Sequence, residues 1–219
     1  MPKTVDHEQR RRELAEALWR IARRDGLEAA TVRHVAAEAG ASVGLVQHYF
    51  TSKDEMLQFA LERLGTELEA RLISKITALG PEPDPYEVIW IVMCERLPLT
   101  NRRQAQTQVM VAWLGRIALR REPNRYLVDG TVRIRDYLAS QLLIGQQRGE
   151  VRAELDPSST ADALLCLNEG LAAQLLVGIH TATSSRRVLA DHLALLFSGR
   201  STTTTKRPTP PAKSGPPKR

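Results

Sequence analysis

Five side chains in one short segment have types and spacing that suit a polyanion. The ammonium group of Lys53 can donate hydrogen bonds to phosphate oxygens, and Ser42 and Tyr49 are expected on the same outward-facing segment. Gln47 and His48 can hydrogen-bond to the edges of nucleic-acid bases. Lys53 is predicted in the first turn of a helix, where its charge opposes the helix dipole. A phosphate would relieve this, because the lysine and the free backbone N–H groups would face the same anion.

The segment follows a turn that brings two short helices together. Gly40 permits a positive φ, and Ala36 is small enough for the second helix to pack closely on the first. Val35 and Val46 would supply the apolar contact beneath, which leaves the polar side chains facing outward. The pattern predicts a helix-turn-helix, with an ordinary helical hairpin as the alternative.

Helical periodicity continues along the chain, and no segment shows the alternation expected of a strand. The fold class is therefore predicted as all-α, with about nine helices. Start signals, an N-cap residue alone or followed by proline, stand at Ser52, Asp84 and Asp156. Glu55 is expected to complete a capping box with Ser52. The predicted helices span 7–25, 31–39, 43–49, 53–79, 85–96, 102–121, 124–148, 158–179 and 185–197.

The charge distribution divides the chain into three parts. Residues 1–53 carry a net charge of +2, residues 54–199 carry −2, and residues 200–219 carry six cations and no acid. We expect a helix-turn-helix domain in 1–53, a larger helical domain in 54–199 and a disordered basic tail rich in proline and threonine in 200–219. A solvated tail and a tail that holds a phosphate backbone both remain open.

Several kinds of site and location find no support in the sequence. The five histidines form no metal-ligand pair at helical spacing, and no catalytic or phosphate-loop motif is present. We therefore expect no enzyme activity, no metal and no cofactor. No apolar run is long enough to cross a membrane, and no secretory leader is evident, so a cytoplasmic location is expected.

The segment "TVRHVAAEAGASVGLVQHYFTSKDEML", residues 31–57, resembles the DNA-binding segment of the tetracycline-repressor (TetR) family of bacterial transcriptional regulators. The similarity covers about 7–57 well. The remainder is similar in general form, and the order of "RRQAQTQVMVAWLGRIALR", "QQRGEVRAELDP" and "NEGLAAQLL" resembles the choline-sensing-regulator (BetI-like) branch.

The resemblance implies which residues meet DNA. Phe50 would be buried and lock the third helix onto the first and fourth. Gln47 stands where the family often has an aromatic residue, which leaves the base preference open. The residues implied to contact phosphates or base edges are Thr31, Arg33, Ser42, Val43, Gly44, Gln47, His48, Tyr49 and Lys53.

The resemblance also implies an effector pocket among the fourth to eighth helices. Glu169 inside an apolar run would favour a cationic ligand if it faced a cavity, and a salt bridge to an arginine such as Arg116 is an equal alternative. Aromatic residues at helical spacing belong more often to the core than to a pocket, and this alternative applies to the aromatic candidates. The candidates are Trp90, Met93, Met110, Trp113, Tyr126, Tyr137, Asn168 and Glu169.

The last two helices carry broad apolar faces, which suit either a four-helix bundle between two subunits or the core of one subunit. The family resemblance implies the dimer. The leucines expected at that interface are Leu164, Leu167, Leu171, Leu175, Leu189, Leu193 and Leu196.

Together these features predict a dimeric repressor that binds an inverted-repeat DNA operator and is released by a small-molecule effector. One alternative is an architectural protein that coats DNA without sequence preference. Another is a helical ligand-binding or adaptor protein that does not bind DNA.

Overall fold

The computed structural model describes residues 3–120 and 124–197, so the predicted basic tail lies outside the described residues. All the regular structure in these two ranges is helical, which confirms the all-α prediction. The nine α-helices described are α1 (Lys3–Asp25), α2 (Val32–Glu38), α3 (Val43–Tyr49), α4 (Lys53–Thr77), α5 (Pro85–Arg96), α6 (Asn101–Arg120), α7 (Arg125–Gln147), α8 (Pro157–Leu176) and α9 (Ala182–Leu196).

Side-chain caps set most of the helix starts. The carboxylates of Asp84 and Asp156 accept hydrogen bonds from the first turns of α5 and α8, as predicted, and proline follows each of them. The hydroxyl of Ser52 caps α4 by accepting from the backbone N–H of Glu55. The Glu55 carboxylate, however, accepts from the N–H and hydroxyl of Thr51, one residue before the predicted partner.

Two features near helix ends were missed from the sequence. A single 3₁₀ turn, Leu27–Ala29, links α1 to α2. The helix α9 begins earlier than predicted, because Thr181 and Ser184 form a reciprocal capping box. A serine three residues after a threonine is a weaker signal than the glutamate expected at that position.

The first hydrophobic core holds α1, α2, α3 and the beginning of α4 together. Leu18 of α1, Val35 of α2 and Phe50 after α3 are buried in it. Val109 and Trp113 of α6 are buried in the same cluster, although α6 lies in the predicted second domain. The N-terminal core therefore reaches past residue 53 and takes one wall from the larger domain.

The second core lies among α5, α7, α8 and α9. Leu138 and Leu142 of α7 pack there against α8, and Phe197 closes the end next to Val151 and Tyr86. No described helix is both long enough and apolar enough to span a bilayer.

The dimer prediction for the leucines of α8 and α9 needs correction. Five of the seven side chains are buried in the second core of this same chain, where they cannot present a surface to a partner. Periodicity identifies an apolar face but not what covers it. The buried leucines are Leu164, Leu171, Leu189, Leu193 and Leu196, whereas Leu167 and Leu175 are partly buried.

Candidate nucleic-acid interface

The turn between α2 and α3 has the predicted geometry. Gly40 adopts a φ of 62°, in the left-handed region that favours glycine. The backbone N–H of Ala41 donates to the carbonyl of Ala36 at 2.8 Å, which folds the chain back over the end of α2. Val35 and Val46 are fully buried beneath the turn. The two helices therefore form a helix-turn-helix whose inner face is apolar.

The outward face of α3 is exposed and carries the predicted base-reading residues. Val43 is 38% exposed although it is apolar, and Gly44 beside it leaves the backbone accessible. Gln47 and His48 lie one turn further along and are also exposed. A helix with this face fits the width of a DNA major groove.

Two hydroxyls predicted to meet phosphate act in this structure as helix caps. Thr31 accepts from the N–H of His34 at 3.3 Å, and Ser42 accepts from the N–H of Leu45 at 3.1 Å. Each hydroxyl keeps its own proton for an outside acceptor, since a cap uses only its oxygen. Both caps and the neighbouring Arg33 are exposed to solvent.

Lys53 does not extend freely from the first turn of α4. Its Nζ atom donates to the carbonyl of Glu28 at 3.3 Å and lies 3.6 Å from the Glu28 carboxylate. The side chain of Lys53 is 22% exposed, whereas that of Glu28 is 88% exposed. The lysine thus joins α4 to the 3₁₀ turn, and its accessible part remains near the predicted DNA surface.

Phe50 is 1% exposed, which confirms its predicted burial. Its ring packs against Phe59 of α4, and the Arg11 guanidinium of α1 lies 5.0 Å from the Phe50 ring and 4.3 Å from the Phe59 ring. These contacts join α3 to α1 and α4, and cation–π attraction adds to the apolar burial.

His7 belongs to this surface, although sequence reasoning assigned it no role. Its ring lies 4.4 Å from Tyr49 and 5.7 Å from His48, measured between centroids. The three rings place the start of α1 beside the end of α3. No local motif could have predicted this contact, because it depends on how α1 crosses the helix-turn-helix.

The helix α6 connects the larger domain to the head, the unit formed by α1, α2, α3 and the beginning of α4. Trp113 is 5% exposed and packs in the head core, and Arg116 forms an ion pair of 3.1 Å with Asp54 at the start of α4. Tyr126, at the start of α7, donates its hydroxyl to the carbonyl of Glu62 on α4. Helices α6 and α7 therefore both contact the N-terminal half of α4.

The structure does not bring the eight candidate pocket residues into one cluster. Met110 and Trp113 pack with the head core, whereas Trp90 and Met93 pack with the second core. Tyr126 lies against Gly65 of α4, where it leaves no room for a Cβ atom. Tyr137 is exposed on α7.

Asn168 and Glu169 behave differently from each other. Asn168 is buried and donates to the carbonyl of Met93 at 2.8 Å, which ties α8 to α5. Glu169 is 59% exposed, so it does not face a closed cavity, and the alternative of a salt bridge to an arginine describes it better. Its ion-pair partner is Arg96 at 3.8 Å, and Arg116 pairs elsewhere.

The buried acid of the larger domain is Glu95, which sequence reasoning missed. It is 5% exposed and lies within 3.1 Å of Arg71, Lys75 and Arg103. Burial acts to raise the pKa of Glu95, but the hydrogen bond from Lys75 and the charge of Arg103 outweigh it, so the pKa is lowered. No sequence pattern predicted this cluster, because Glu95 and its three cationic partners come from three different helices.

Two family descriptions match the chain. Residues 14–59 match the N-terminal model described as bacterial regulatory proteins, tetR family. Residues 91–198 match the model described as BetI-type transcriptional repressor, C-terminal. The first match contains the helix-turn-helix and its packing helices, and the second contains most of the larger domain.

Whole-chain comparisons agree with these matches. The transcriptional regulator PksA of Bacillus subtilis is 28% identical over 195 residues, which cover 88% of this chain and 92% of PksA. A transcriptional regulator from Rhodococcus sp. Rha1 has 30% identity and a TM-score of 0.71 over 86% of this chain and 96% of its own.

Two further comparisons concern the BetI-type part. The regulator BetI of Escherichia coli is 27% identical over 114 residues, 52% of this chain and 56% of BetI. A regulator from Saccharomonospora viridis, solved in complex with choline, shares the fold at a TM-score of 0.75 and 24% identity, over 85% of this chain and 96% of its own. The chain therefore belongs to the TetR family of ligand-responsive, DNA-binding transcriptional regulators.

Proposed function

We propose that this chain acts in the cytoplasm as a homodimeric repressor that binds an inverted-repeat operator and leaves it when a small molecule binds. The observation that carries the proposal is the exposed face of α3, with Val43, Gly44, Gln47 and His48 held over an apolar inner face. Two such faces related by a two-fold axis require two half-sites in inverted orientation.

The contacts with DNA divide into two classes by their chemistry. Thr31, Ser42, Tyr49 and Lys53 would hold phosphates, together with Arg33, because each presents a hydroxyl or a cation near the rim of the surface. Gln47 would read a base edge, and a bidentate pair with adenine would contribute ~1–3 kcal/mol of discrimination.

The surface that supports dimerisation is the opposite face of α8 from its buried leucines. Ala163, Cys166, Gly170 and Ala173 are all exposed and recur at intervals of three and four residues, so they share one side of the helix. Small residues let two helix backbones approach closely. On α9, Leu195 is 67% exposed and extends the apolar part of the surface.

The contacts of α6 and α7 with α4 support the proposal that an effector controls DNA binding. A ligand can act only by binding one arrangement of the dimer more tightly than another. Movement of α6 would act on the head through Trp113 and through the Arg116–Asp54 ion pair. The choline in the solved relative supports a small-molecule ligand for this chain, with Trp90, Met93 and Asn168 as candidate neighbours.

A mobility-shift experiment separates the proposal from its alternatives. The full chain is titrated against three DNA probes. They are DNA from the region upstream of its own gene, one half of the inverted repeat found there, and random DNA of the same length. We expect tight binding only to the complete inverted repeat. Equal affinity for random DNA would support an architectural protein, and no binding to any probe would support an adaptor.

A further inference from the structure

The helix α3 is short for an element that must hold several side chains against DNA. It has seven residues, Val43–Tyr49, and of these described residues only Val46 is buried. Phe50, directly after the helix, is the second buried anchor. A helix of about two turns has little stability of its own, so its orientation depends on contacts with neighbouring elements.

Three aromatic rings supply such a contact at the end of α3, and together they form a ring cluster. The ring of His7 meets that of Tyr49 edge to face, with 4.4 Å between centroids and an interplanar angle of 64°. His48 meets Tyr49 in the same way at 5.2 Å and 79°, and the centroids of His7 and His48 are 5.7 Å apart. Each ring therefore contacts both of the others, in the edge-to-face arrangement that aromatic pairs prefer.

The ring cluster has a fixed support in α1. One side of this helix is formed by residues spaced four, three and four apart along the chain: His7, Arg11, Leu14 and Leu18. The two leucines are fully buried in the head core, and the Arg11 guanidinium lies over the ring of Phe50. The side of α1 that packs on the head thus continues to His7, which extends it to the end of α3.

We propose that His7 is a positioning residue for DNA reading, because its ring holds Tyr49 and His48 in place at the end of α3. The inference rests on the proposed function, which assigns Tyr49 to phosphate and places His48 on the face that meets bases. It adds α1 to the elements that set operator preference. Without the ring of His7, the two side chains would gain rotamer freedom that DNA binding must then remove.

Two substitutions of His7 separate the presence of a ring from its chemistry. The affinity of the full chain for operator and for random DNA is measured by fluorescence anisotropy. His7→Ala should lower operator affinity about three- to tenfold, as expected for the loss of aromatic pairs, with a smaller loss on random DNA. His7→Phe keeps a ring and should restore most of the affinity. The control Gln9→Ala, an exposed side chain on another side of α1, should bind like wild type.

A direct contact between His7 and a phosphate predicts a different pattern. Phenylalanine cannot donate a hydrogen bond, so His7→Phe would then bind as weakly as His7→Ala, and both DNAs would lose affinity alike. That result would overturn the positioning role, as would unchanged operator affinity in His7→Ala.

A double-mutant cycle tests whether His7 acts through the other two rings. In a chain that already carries His48→Ala and Tyr49→Ala, the further change His7→Ala should have little effect on operator affinity, because nothing remains for the ring to hold. An equal loss in this background and in wild type would contradict the inference.

Stability and DNA binding are separated by two further measurements. His7 is exposed, so the unfolding midpoint of His7→Ala should stay close to that of wild type. A fall of several degrees would show that His7 supports the fold rather than the DNA surface. If wild type prefers its operator and His7→Ala does so equally, only the role of His7 is wrong. If wild type binds no DNA, the proposed function is wrong and this inference with it.

Discussion

Lys53 shows how one side chain can serve both the fold and the proposed DNA surface. Within the protein it is held by Glu28, and the pair is open to solvent on the Glu28 side. A phosphate that approaches α4 would compete with an exposed carboxylate rather than with a buried one. The ion pair therefore costs little to exchange, because exposed pairs contribute only ~0–1 kcal/mol.

Substitution of this pair should change DNA affinity without changing sequence preference. Lys53→Ala should weaken binding to all sequences alike and lower the salt slope by about one, since one phosphate contact is lost. Glu28→Gln should do the opposite, because the lysine is freed from its carboxylate. Salt-dependent fluorescence anisotropy on operator and random DNA measures both. A change in preference between the two DNAs would place Lys53 against a base.

Glu95 should make the stability of the larger domain depend on acid pH. Its folded-state pKa is lowered, so its contribution is complete above the ordinary value of 4.5 and is lost as pH falls below it. Glu95→Gln should cost on the order of 2 kcal/mol at pH 7, less than a fully enclosed pair because Lys75 is half exposed. Urea unfolding at several pH values should show that the free energy of unfolding falls less steeply below pH 4.5 in the variant than in the wild type. An equally steep fall in both would mean that other carboxylates cause the loss of stability in acid.

The sequence predicts local features of the site better than distant contacts. Gly40 and Ser52 were identified because turn chemistry and helix capping depend on near neighbours in the chain, whereas the burial of Phe50 was implied by the family resemblance. Glu169 was considered either as a carboxylate facing a cavity or as the partner of an arginine because it stands in an apolar run, but its place on the helix turns it to solvent. The partners of Glu95 depend on how three helices cross, which no local pattern contains.

At the scale of elements, α6 departs most from its expected place. Its apolar pattern predicts a helix, but residues 109–119 are apolar on nearly every side, so the pattern cannot show which side is inward. Val109 and Trp113 face the head core, and Val111, Leu114 and Leu119 are exposed. Met110 and Trp113, the two pocket candidates on α6, therefore face the head core and lie apart from the candidates in the second core.

Gly115 offers a direct test of how α6 contributes to stability. It is exposed in mid-helix, and an added Cβ atom would meet nothing within 4 Å. Gly115→Ala should stabilise the chain by about 1 kcal/mol, because alanine loses less backbone entropy in a helix. Gly145→Ala is the contrasting variant, since its Cβ would meet Val151 at 2.6 Å. Thermal unfolding should rise for the first variant and fall for the second.

At the scale of the whole molecule, the position of the dimer interface can be tested without disturbing the core. Leu171 is buried, so an arginine there would unfold the subunit rather than report on association. Gly170 is exposed, and a side chain there has open space in the single chain. Gly170→Arg should give a folded monomer. Its operator affinity should fall ~10²–10⁴-fold, because a monomer binds one half-site and loses the gain from binding both half-sites at once.

The matched control is Gly115→Arg, which adds the same side chain to an exposed glycine of another helix. Sedimentation velocity should show a monomer for the first variant and a dimer for the second. A dimer in both variants would show that the interface does not involve this face of α8. Circular dichroism of each variant confirms that the subunit remains helical.

The placement of Trp113 limits where this regulator can be joined to a related protein to make a chimera. Exchange of DNA-reading heads between related proteins assumes that each head is self-contained, yet here Val109 and Trp113 close its core from the far side. A chimera joined after residue 60 would lose that wall, and the cost of removing a buried tryptophan is ~3–5 kcal/mol. Its melting should be less cooperative than that of a chimera that also carries residues 109–117. The unit of exchange is thus discontinuous in sequence, and grafting must follow packing rather than chain order.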